Sequence, residues 1–242
     1  MRIIGVIPAR LSSTRLHEKP LHLILGKPLV QWVYEGASQY PHFEALVVAT
    51  DSKIIQEKVK EFGGEVVMTS QDHMSGTSRM YEVASHKNLD ENDIIVNIQG
   101  DEPLINKRVL DILLNTTFKD NNKIGVSTVA REFGSAEEKR SPHNVKAIVD
   151  KNGVALDFTR QWKNECASKT ALCHIGLYAY KKWALDQFVK LPPTEREREE
   201  KLEQLRFDKN LNIFHVSVVQ DKLIGVDTIE DAKRVENELR RQ

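Results

Sequence analysis

The chain has 242 residues, with 35 lysine and arginine side chains balanced by 35 aspartate and glutamate side chains. This balance argues against a general nucleic-acid binder, which needs surplus cations facing phosphates, and no apolar run approaches the roughly 20 residues of a membrane-spanning helix or the form of a signal peptide. Two cysteines, Cys166 and Cys173, are too few for a disulfide framework or a zinc site, so we expect reduced thiols in a cytoplasmic protein.

The first half of the chain alternates short apolar runs with amphipathic stretches. The runs predict strands that are covered on both faces, over 3–7, 46–50, 65–68 and 94–98. Helical spacing of apolar residues predicts helices over 30–38, 54–62 and 78–85, the second of which ends at Gly63-Gly64. Repeated strand–helix–strand units build an α/β fold with a mainly parallel sheet flanked by helices, whose ligands bind beyond the carboxyl ends of the strands.

The second half of the chain is more mixed. Strands are predicted over 125–130, 145–149, 153–158, 175–180 and 212–218, with a tight turn at Asn152-Gly153. Helices are predicted over 181–190 and 196–206, and a capping box at Thr228 begins a final helix. The charged 196–206 segment predicts a solvated face with pairs such as Glu197 with Lys201. We expect a single domain over 1–242, because no repeat or long linker interrupts the chain.

A loop rich in cations and hydroxyl groups follows the first strand, between Pro8 and Pro20. It lacks the glycines of a dinucleotide-binding turn and of a P-loop, which argues against a dehydrogenase and against a P-loop NTPase. It contains three cations and three hydroxyl groups: Arg10, Arg15, Lys19, Ser12, Ser13 and Thr14. Guanidinium forks and a lysine point charge are suited to a polyphosphate, and the alternative is an ordinary solvated loop.

Two acidic segments are candidate functional sites. Asp101 and Glu102 come directly after Gly100 and a predicted buried strand, and a carboxylate there, facing a triphosphate, is the arrangement that holds Mg²⁺. The alternative is an acidic turn that caps the next helix. Asp227 precedes Thr228, which takes the cap position, so Asp227 either has another partner or is only a favourable charge at a helix N-terminus.

Two further segments carry weaker signals. Ser75, Gly76 and Thr77 follow the third predicted strand, where small side chains either let backbone groups approach a base or simply begin a helix. His174 and Tyr178 are four residues apart in a predicted strand, so their side chains point to one face. A lone histidine is more often a satisfied core or surface group than a ligand.

Taken together, these segments resemble the 3-deoxy-manno-octulosonate cytidylyltransferases, also called CMP-Kdo synthetases. The matching motifs keep their order over nearly the whole chain, and the most specific are Q-G-D-E-P at 99–103 and L-E-Q-L-R at 202–206. The others are I-P-A-R-x-x-S-x-R-L at 7–16, K-P-L at 19–21, V-A-T-D at 48–51, S-G-T at 75–77, V-K at 145–146, H-x-G-x-Y at 174–178 and G-V-D-T at 225–228.

The resemblance implies a Rossmann-like nucleotidyltransferase fold with a smaller mixed β lobe. Its nucleotide-binding part covers about 1–120, its sugar-binding and dimerisation part about 121–210, and its C-terminal return 211–242. The resemblance also implies a cytoplasmic homodimer that transfers CMP from CTP to 3-deoxy-D-manno-octulosonate (Kdo), an acidic eight-carbon sugar, and releases pyrophosphate, for lipopolysaccharide biosynthesis. The anomeric hydroxyl attacks the α-phosphorus in line, and the protein contributes positioning and charge neutralisation.

The resemblance further assigns residues to roles. Catalysis is assigned to Arg10, Arg15, Lys19, Asp101 and Asp227, of which Asp101 and Asp227 bind Mg²⁺. These two carboxylates must therefore meet, although they lie far apart in the sequence. The nucleotide is assigned to Ala9, Arg10, Ser13, Lys19, Ser75, Gly76 and Gln99. The sugar is assigned to Arg15, Gln99, His174, Tyr178, Glu203 and Gln204.

The chain departs from the family in two places. His17-Glu18 stands where the family has Pro-Gly, which puts a negative charge beside the phosphate-binding cations. The segment from Arg160 to His174 is short and lacks the usual Ile-Pro. Two alternatives stay open: a cytidylyltransferase that acts on 8-amino-Kdo or another acidic sugar, and a nucleotide-binding homologue without turnover.

Overall fold

The computed structural model of the protein describes residues 1–11, 16–73, 75–162, 170–207, 209–221 and 223–241. The chain forms two compact units. Unit 1 comprises Met1–Asp111 and Asp221–Gln242, and unit 2 comprises Ile112–Gln220. None of the helices within the described ranges combines the length and the apolar character needed to cross a bilayer.

Strands and helices alternate through most of the chain. The strands are β1 (Ile3–Ala9), β2 (Leu23–Ile24), β3 (Lys27–Pro28), β4 (Ala45–Thr50), β5 (Glu65–Met68), β6 (Ile94–Asn97), β7 (Val126–Arg131), β8 (Lys146–Val149), β9 (Ala155–Thr159), β10 (Thr170–Lys181) and β11 (Phe214–Val218). The α-helices are α1 (Leu29–Ser38), α2 (Lys53–Glu61), α3 (Gly76–His86), α4 (Lys107–Leu113), α5 (Thr116–Asp120), α6 (Ala136–Arg140), α7 (Lys182–Lys190), α8 (Glu195–Glu200) and α9 (Ile229–Leu239). Short 3-10 helices include Lys19–Leu21, Glu203–Phe207 and Leu211–Ile213.

The main sheet of unit 1 has parallel strands in the order β6-β1-β4-β5. β1 is buried along almost its whole length, as expected for a strand that is covered on both faces. The chain passes from β1 through α1 to β4, through α2 to β5, and then through α3 back to β6 on the other side of β1. The strand order therefore reverses between β1 and β6, and the loops after these two strands form the crevice in which open α/β sheets bind ligands.

The two loops at this reversal pack closely together. A Cβ atom on Gly100 would stand 2.6 Å from the carbonyl oxygen of Pro8, which is closer than real Cβ atoms come to a backbone atom. Glycine is therefore required at position 100, because it lets the turn after β6 lie directly against the end of β1. This contact fixes where the next residue, Asp101, stands in the crevice.

Side-chain caps and a glycine set helix ends in unit 1, and the sequence predicts the glycine and the capping box of α9. Ser52 caps α2, and Gly63 follows that helix in the left-handed conformation, at φ 78°. Thr228 and Asp231 form the predicted capping box of α9. α9 and the segment before it belong to one core cluster, whose buried members are Leu16, Ile24, Leu29, Leu104, Val226, Ala232 and Val235.

Unit 2 contains a mixed sheet in the order β11-β7-β10-β8-β9. β11 pairs parallel with β7, and the other neighbouring strands pair antiparallel. The predicted turn at Asn152-Gly153 joins β8 to β9, with Gly153 at φ 79°. β10 spans 12 residues, and its pairing with β7 shifts between Ile175 and Tyr178. The predicted α/β fold, with a mainly parallel sheet flanked by helices and a smaller mixed β lobe, is confirmed.

The predicted helix over 196–206 is wrong in its length and in its charge pairing. α8 ends early because Lys201 adopts the left-handed conformation, at φ 53°, and a 3-10 helix follows. Glu197 is buried and pairs with Arg206, not with Lys201. The chain reversal at Lys201 brings Arg206 back onto α8, which helical spacing cannot foresee. The helices α4, α5 and α6 and the hairpin β2-β3 are not predicted from the sequence, because such short elements carry little periodic pattern.

Glu18, which stands where the family has glycine, lowers the stability of the fold. Glu18 adopts φ 47° and ψ 40°, in the left-handed region, immediately before the 3-10 helix Lys19–Leu21. A residue with a Cβ atom pays about 1 kcal/mol there, so we expect Glu18→Gly to raise the free energy of unfolding by about 0.5–1 kcal/mol in urea denaturation. His17→Gly is the matched control, because His17 is exposed and its φ is not positive. If His17→Gly gained stability and Glu18→Gly did not, the left-handed conformation of Glu18 would not be the source of the cost.

Candidate active site

A lysine bridges two carboxylates in unit 1. Lys19 Nζ donates to Asp101 Oδ2 at 2.6 Å and to Asp227 Oδ1 at 2.9 Å. The two carboxylate oxygens are therefore no farther apart than the sum of these distances. The predicted meeting of Asp101 and Asp227, which lie far apart in the sequence, is confirmed.

Three segments hold this cluster in place. Lys19 begins the 3-10 helix that follows the first loop. Asp101 lies in the turn after β6, and its carbonyl oxygen accepts a hydrogen bond from the Val226 N–H at 2.8 Å. Because Val226 is also anchored in the core cluster, the next residue, Asp227, is carried to the same place. The side chain of Thr228 caps α9, so Asp227 is not needed as the cap and its carboxylate turns to Lys19.

The positive charge of Lys19 stabilises the two carboxylates of this cluster. Burial by itself lowers the pKa of Lys19, but the negative charges and hydrogen bonds of Asp101 and Asp227 outweigh it and raise the pKa above its ordinary value. Lys19 is therefore protonated at neutral pH, and its single positive charge attracts both carboxylates and offsets one of their two negative charges. A positive group already stands where the two carboxylates converge, so the arrangement is suited to holding a cation.

A third carboxyl group lies beside this pair and has a different character. Glu102 Oε2 is buried, and nothing in the described ranges hydrogen-bonds to it. Burial, and then the negative charges of Asp101 and Asp227, raise the pKa of Glu102 to about 8. Glu102 is therefore mostly protonated at pH 7, where it contributes hydrogen-bonding capacity without adding a negative charge.

The first loop also reaches the turn before α3. Arg10 is exposed, and its Nη1 donates to the carbonyl oxygen of His73 at 3.2 Å. The Ser75 hydroxyl caps α3, and Gly76 is the first residue of that helix, so the alternative of a helix start at this segment is confirmed. The structure thus brings Arg10 close to the turn that contains Ser75 and Gly76.

A buried arginine holds α3 against the strand ends. Arg79 has no exposed surface, and its Nη2 donates to Asp51 Oδ2 at 2.8 Å. Its Nη1 donates to the hydroxyl group of Thr69. Asp51 follows β4 and Thr69 follows β5, so one guanidinium group ties the start of α3 to two neighbouring strands. The V-A-T-D motif therefore has a structural role through Asp51.

Polar groups after β6 complete the crevice. Asn97 is buried at the end of β6, and its Oδ1 has no hydrogen-bond partner within the described part of the chain. A Cβ atom on Gly76 would lie 3.9 Å from Asn97 Nδ2, which shows that the end of β6 adjoins the start of α3. The carbonyl oxygen of Gln99 accepts the Glu102 N–H at 3.1 Å and closes the turn. Ala9 is buried at the end of the neighbouring strand β1.

A second polar cluster lies in unit 2. The rings of His174 and Tyr178 on β10 have centroids 5.4 Å apart. The pairing of β10 with β7 skips two residues between Ile175 and Tyr178. Because an even number of skipped residues preserves the alternation of side chains, the predicted common face of His174 and Tyr178 is confirmed.

The 3-10 helix Glu203–Phe207 carries polar atoms without partners. Glu203 Oε2 and Gln204 Nε2 are buried, and no group in the described residues hydrogen-bonds to either. Arg206 of the same helix is paired with Glu197, which fixes the helix in position. An unpaired buried polar group costs about 1–3 kcal/mol, so one acceptor and one donor side by side indicate a surface that is completed by a polar ligand.

The sequence model of the cytidylyltransferases matches residues 4–214. The chain belongs to the cytidylyltransferase family. It is 40% identical to a 3-deoxy-manno-octulosonate cytidylyltransferase of Fusobacterium nucleatum over 240 residues, which are 98% of this chain and 96% of the relative. It is 41% identical over 246 residues to a protein of the same name from Leptospira biflexa, with 100% and 98% of the two chains covered.

A solved structure agrees with this assignment. The structure of CMP:2-keto-3-deoxy-manno-octonic acid synthetase complexed with CTP matches this chain with a TM-score of 0.90 and 36% identity. The match covers 100% of this chain and 99% of the other. The protein is therefore a nucleotidyltransferase, and the Rossmann-like nucleotidyltransferase fold that the motifs imply is confirmed.

The structure places the assigned residues of this cytidylyltransferase in two groups. Unit 1 contains the cluster of Lys19, Asp101 and Asp227 and the contact of Arg10 with the turn before α3. Unit 2 contains the neighbouring rings of His174 and Tyr178, and it also contains Glu203 and Gln204 on the 3-10 helix Glu203–Phe207. Ser13 and Arg15 lie outside the described residues, so their assigned roles stay predictions.

Two residues of the cytidylyltransferase crevice are not among the residues that the family resemblance assigns to a role. Asn97 and Glu102 both belong to the N-x-Q-G-D-E-P segment, and each has a buried oxygen without a partner in the ranges the structure describes. Their position in this motif is the signal in the sequence that could have pointed to them. Their burial is a property of packing, which residue type and spacing do not reveal.

His174 gives this cytidylyltransferase a testable pH dependence. Its ring packs against Phe158, with centroids 5.1 Å apart, and burial lowers the pKa of His174 to about 3. Between about pH 3 and pH 6.5 the unfolded chain binds a proton at His174 that the folded chain does not, so the free energy of unfolding falls as the pH drops below 6.5. This one group removes up to about 2 kcal/mol between pH 7 and pH 5. In urea denaturation, the free energy of unfolding of His174→Asn should therefore fall less between pH 7 and pH 5 than that of the wild type. The difference between the two falls should be up to about 2 kcal/mol.

The matched control is His143→Asn, because His143 is an exposed histidine of the same unit. It should follow the wild type at both pH values. His215, whose pKa is also lowered by burial, supplies part of the dependence that remains in His174→Asn. Equal losses in the wild type and in His174→Asn would show that His174 is not the group responsible.

Proposed function

We propose that this cytidylyltransferase transfers CMP from CTP to Kdo and releases pyrophosphate, which supplies CMP-Kdo for lipopolysaccharide biosynthesis. The observation that carries the proposal is the convergence of Asp101 and Asp227 on Lys19, beside the reversal of strand order in a parallel sheet. Relatives named 3-deoxy-manno-octulosonate cytidylyltransferase match the chain over nearly its whole length, which supports Kdo as the acceptor.

The nucleotide binds at the first loop and the start of α3. Arg10, Arg15 and Lys19 hold the triphosphate, because guanidinium and ammonium groups form strong charge-assisted hydrogen bonds with phosphate oxygens. The exposure of Arg10 and its contact with the turn before α3 support this assignment. The residues proposed to bind the nucleotide are Ala9, Arg10, Ser13, Lys19, Ser75, Gly76 and Gln99.

Asp101 and Asp227 fit a divalent cation, and we take it to be Mg²⁺. The Lys19 ammonium group, 2.6 Å and 2.9 Å from one oxygen of each carboxylate, is a stand-in for such an ion. Mg²⁺ in nucleotide enzymes uses one or two carboxylates and takes its other ligands from phosphates and water. When bound, the ion polarises the α-phosphate as a Lewis acid.

The side chains of the protein position the reactants and neutralise charge. The anomeric hydroxyl of Kdo attacks the α-phosphorus in line and loses its proton to water, while the bond from that phosphorus to the bridging oxygen of pyrophosphate breaks. Lys19, Arg10 and Arg15 stabilise the negative charge that develops on pyrophosphate. A divalent cation held by Asp101 and Asp227 would take over the counter-charge that Lys19 supplies, and the Lys19 ammonium group would then be available to the phosphates.

The sugar binds through hydroxyl and carboxylate contacts. The unpartnered acceptor Glu203 Oε2 and the unpartnered donor Gln204 Nε2 in the described part of unit 2 support this, because a polyhydroxylated acid satisfies both. The residues proposed to bind the sugar are Arg15, Gln99, His174, Tyr178, Glu203 and Gln204.

The family resemblance supports three further statements in this proposal. The enzyme is a cytoplasmic homodimer that works without nucleic acid and without a membrane. Its nucleotide-binding part covers about 1–120, its sugar-binding and dimerisation part about 121–210, and its C-terminal return 211–242. The geometry of the site also argues against a homologue without turnover. Lys19, Asp101 and Asp227 form a cluster in which like charges converge, and an idle site has no physical need for such a cluster.

A pyrophosphate-release assay with Mg²⁺ tests the proposed function. CTP, UTP, ATP and GTP are each combined with Kdo, 8-amino-Kdo and sialic acid. We expect release with CTP and Kdo, and EDTA should abolish it. Release with 8-amino-Kdo or sialic acid but not with Kdo would assign a different acceptor. CTP binding without release in any combination would favour the homologue without turnover.

A further inference from the structure

Thr128 places its hydroxyl group inside the irregular part of β10. It lies on β7, is completely buried and pairs across the sheet with Tyr178. Its Oγ1 lies 2.7 Å from the carbonyl oxygen of Leu177, 3.3 Å from that of Ile175 and 2.9 Å from His174 Nε2. Three hydrogen-bonding atoms therefore surround one hydroxyl group, which has a single proton to donate.

This proton count determines which nitrogen of His174 carries hydrogen. A carbonyl oxygen only accepts, so the Thr128 hydroxyl donates to the Leu177 carbonyl oxygen, because two oxygens at 2.7 Å without a proton between them repel each other. The lone pairs of Thr128 Oγ1 then face His174 Nε2. Nε2 therefore carries the hydrogen and donates it to Thr128, and a neutral ring leaves Nδ1 as a bare acceptor.

His174 Nδ1 is open to a ligand. Within the described residues nothing hydrogen-bonds to it, and His174 is only partly buried. The groups that face the ring are Thr128 on β7, Phe158 on β9 and Tyr178 on β10. The pKa of Tyr178 is raised well above its ordinary value by burial, so none of these groups is charged at neutral pH. The low pKa of His174, about 3, keeps its ring neutral and its acceptor present.

We propose that Thr128 is a positioning residue that holds His174 as the Nε2–H tautomer, so that Nδ1 accepts a hydrogen bond from a hydroxyl group of the acidic sugar. The inference rests on the proposed function, because it uses His174 as a sugar contact. With the other tautomer, Nδ1 would be a donor and could bind any acceptor oxygen, whether of a hydroxyl, a carbonyl or a carboxylate group, whereas a bare Nδ1 requires a donor such as a hydroxyl group. Thr128 thereby tunes the site for a polyhydroxylated acceptor without touching it.

Nitrogen NMR of the imidazole ring measures the tautomer without any substrate. In protein labelled with ¹⁵N-histidine, long-range ¹H–¹⁵N correlations separate a bare ring nitrogen from a protonated one, and His174→Asn identifies the signals of His174 by their loss. We expect a bare Nδ1 and a protonated Nε2 in the wild type and in Thr128→Ser, and a mixture of tautomers in the isosteric variant Thr128→Val. A protonated Nδ1 in the wild type would overturn the inference without any need for a variant to fold. An unchanged tautomer in Thr128→Val would overturn it as well.

Kinetics with the proposed substrates give a second readout. The loss of one directed hydrogen bond should raise the KM for Kdo about tenfold in Thr128→Val, with the KM for CTP unchanged and the wild-type value restored in Thr128→Ser. An equal rise in both KM values would mean that Thr128 is merely structural. If no combination of sugar and nucleotide reacts, the proposed function fails, whereas the NMR experiment still decides the tautomer.

Discussion

Asp101→Asn is expected to reduce kcat about 1000-fold with the fold intact. Asparagine keeps the size of Asp101 but removes the negative charge proposed to hold Mg²⁺ together with Asp227. A single group that stabilises transition-state charge contributes about 10²–10³ in rate, and the loss of a metal ligand lies at the upper end of that range. Lys19 keeps Asp227 as its partner at 2.9 Å, so the free energy of unfolding should change by less than about 1 kcal/mol. Pyrophosphate release at saturating CTP and Kdo measures kcat, and thermal unfolding measures stability.

Two further variants make this result interpretable. Asp227→Asn should give a loss of similar size, because the carboxylates of Asp101 and Asp227 face the same Lys19. Asp111→Asn is the matched control, because Asp111 belongs to the same unit and pairs at the surface with Lys107. Its kcat should equal that of the wild type. Full activity in Asp101→Asn would remove its role at the metal and the main support for the proposed site.

Lys19→Ala is expected to raise the KM for CTP about 10- to 100-fold, which is the effect of losing a hydrogen bond between charged groups. Lys19 is the point charge proposed to hold phosphate oxygens. In the ligand-free protein its loss also leaves Asp101 and Asp227 facing each other without their counter-charge, so the free energy of unfolding should fall by about 1–3 kcal/mol. Initial rates over a range of CTP concentrations at fixed Kdo measure the first effect, and urea denaturation measures the second.

Lys27→Ala is the matched control for this experiment. Lys27 forms an ion pair with Glu35 at 2.7 Å in the same unit and has no proposed contact with the nucleotide. Its KM for CTP should stay at the wild-type value, and its stability should change little because the ion pair is exposed. A Lys19→Ala enzyme that responds to CTP concentration as the wild type does would be incompatible with a role for Lys19 at the phosphates.

Local patterns in the sequence predict most of the regular elements. The apolar runs at 46–50 and 94–98 become β4 and β6, because such segments are stable only when both faces are covered. The capping box at Thr228 marks the start of α9 for a similarly local reason, since its partner lies three residues ahead. The prediction fails over 196–206, where the left-handed Lys201 ends α8 and a returning segment brings Arg206 to Glu197.

The candidate site, too, could be predicted only in part from the sequence. The residue types that follow the predicted strands single out Lys19 and Asp101, the capping box at Thr228 draws attention to Asp227, and the family resemblance assigns both carboxylates to Mg²⁺. What they touch could not be read from neighbouring residues, because Lys19 reaches its two partners across separations of 82 and 208 positions. Thr128, in contrast, is a residue that the sequence does not single out at all. It lies in β7, where its residue type suggests no special role, and attracts no notice until β10 is seen to place three hydrogen-bonding atoms around its hydroxyl group.

The sequence by itself therefore determined where most of the longer strands and helices lie and which charged groups are available, since these depend on residues only a few positions apart. Only the tertiary structure decided that Lys19 stands between two carboxylates, that Glu102 is protonated at neutral pH, and that the ring of His174 is neutral. The physical reason is that ion pairing and proton affinity are set by distance and by removal from water, and both arise when segments remote in the chain are packed together.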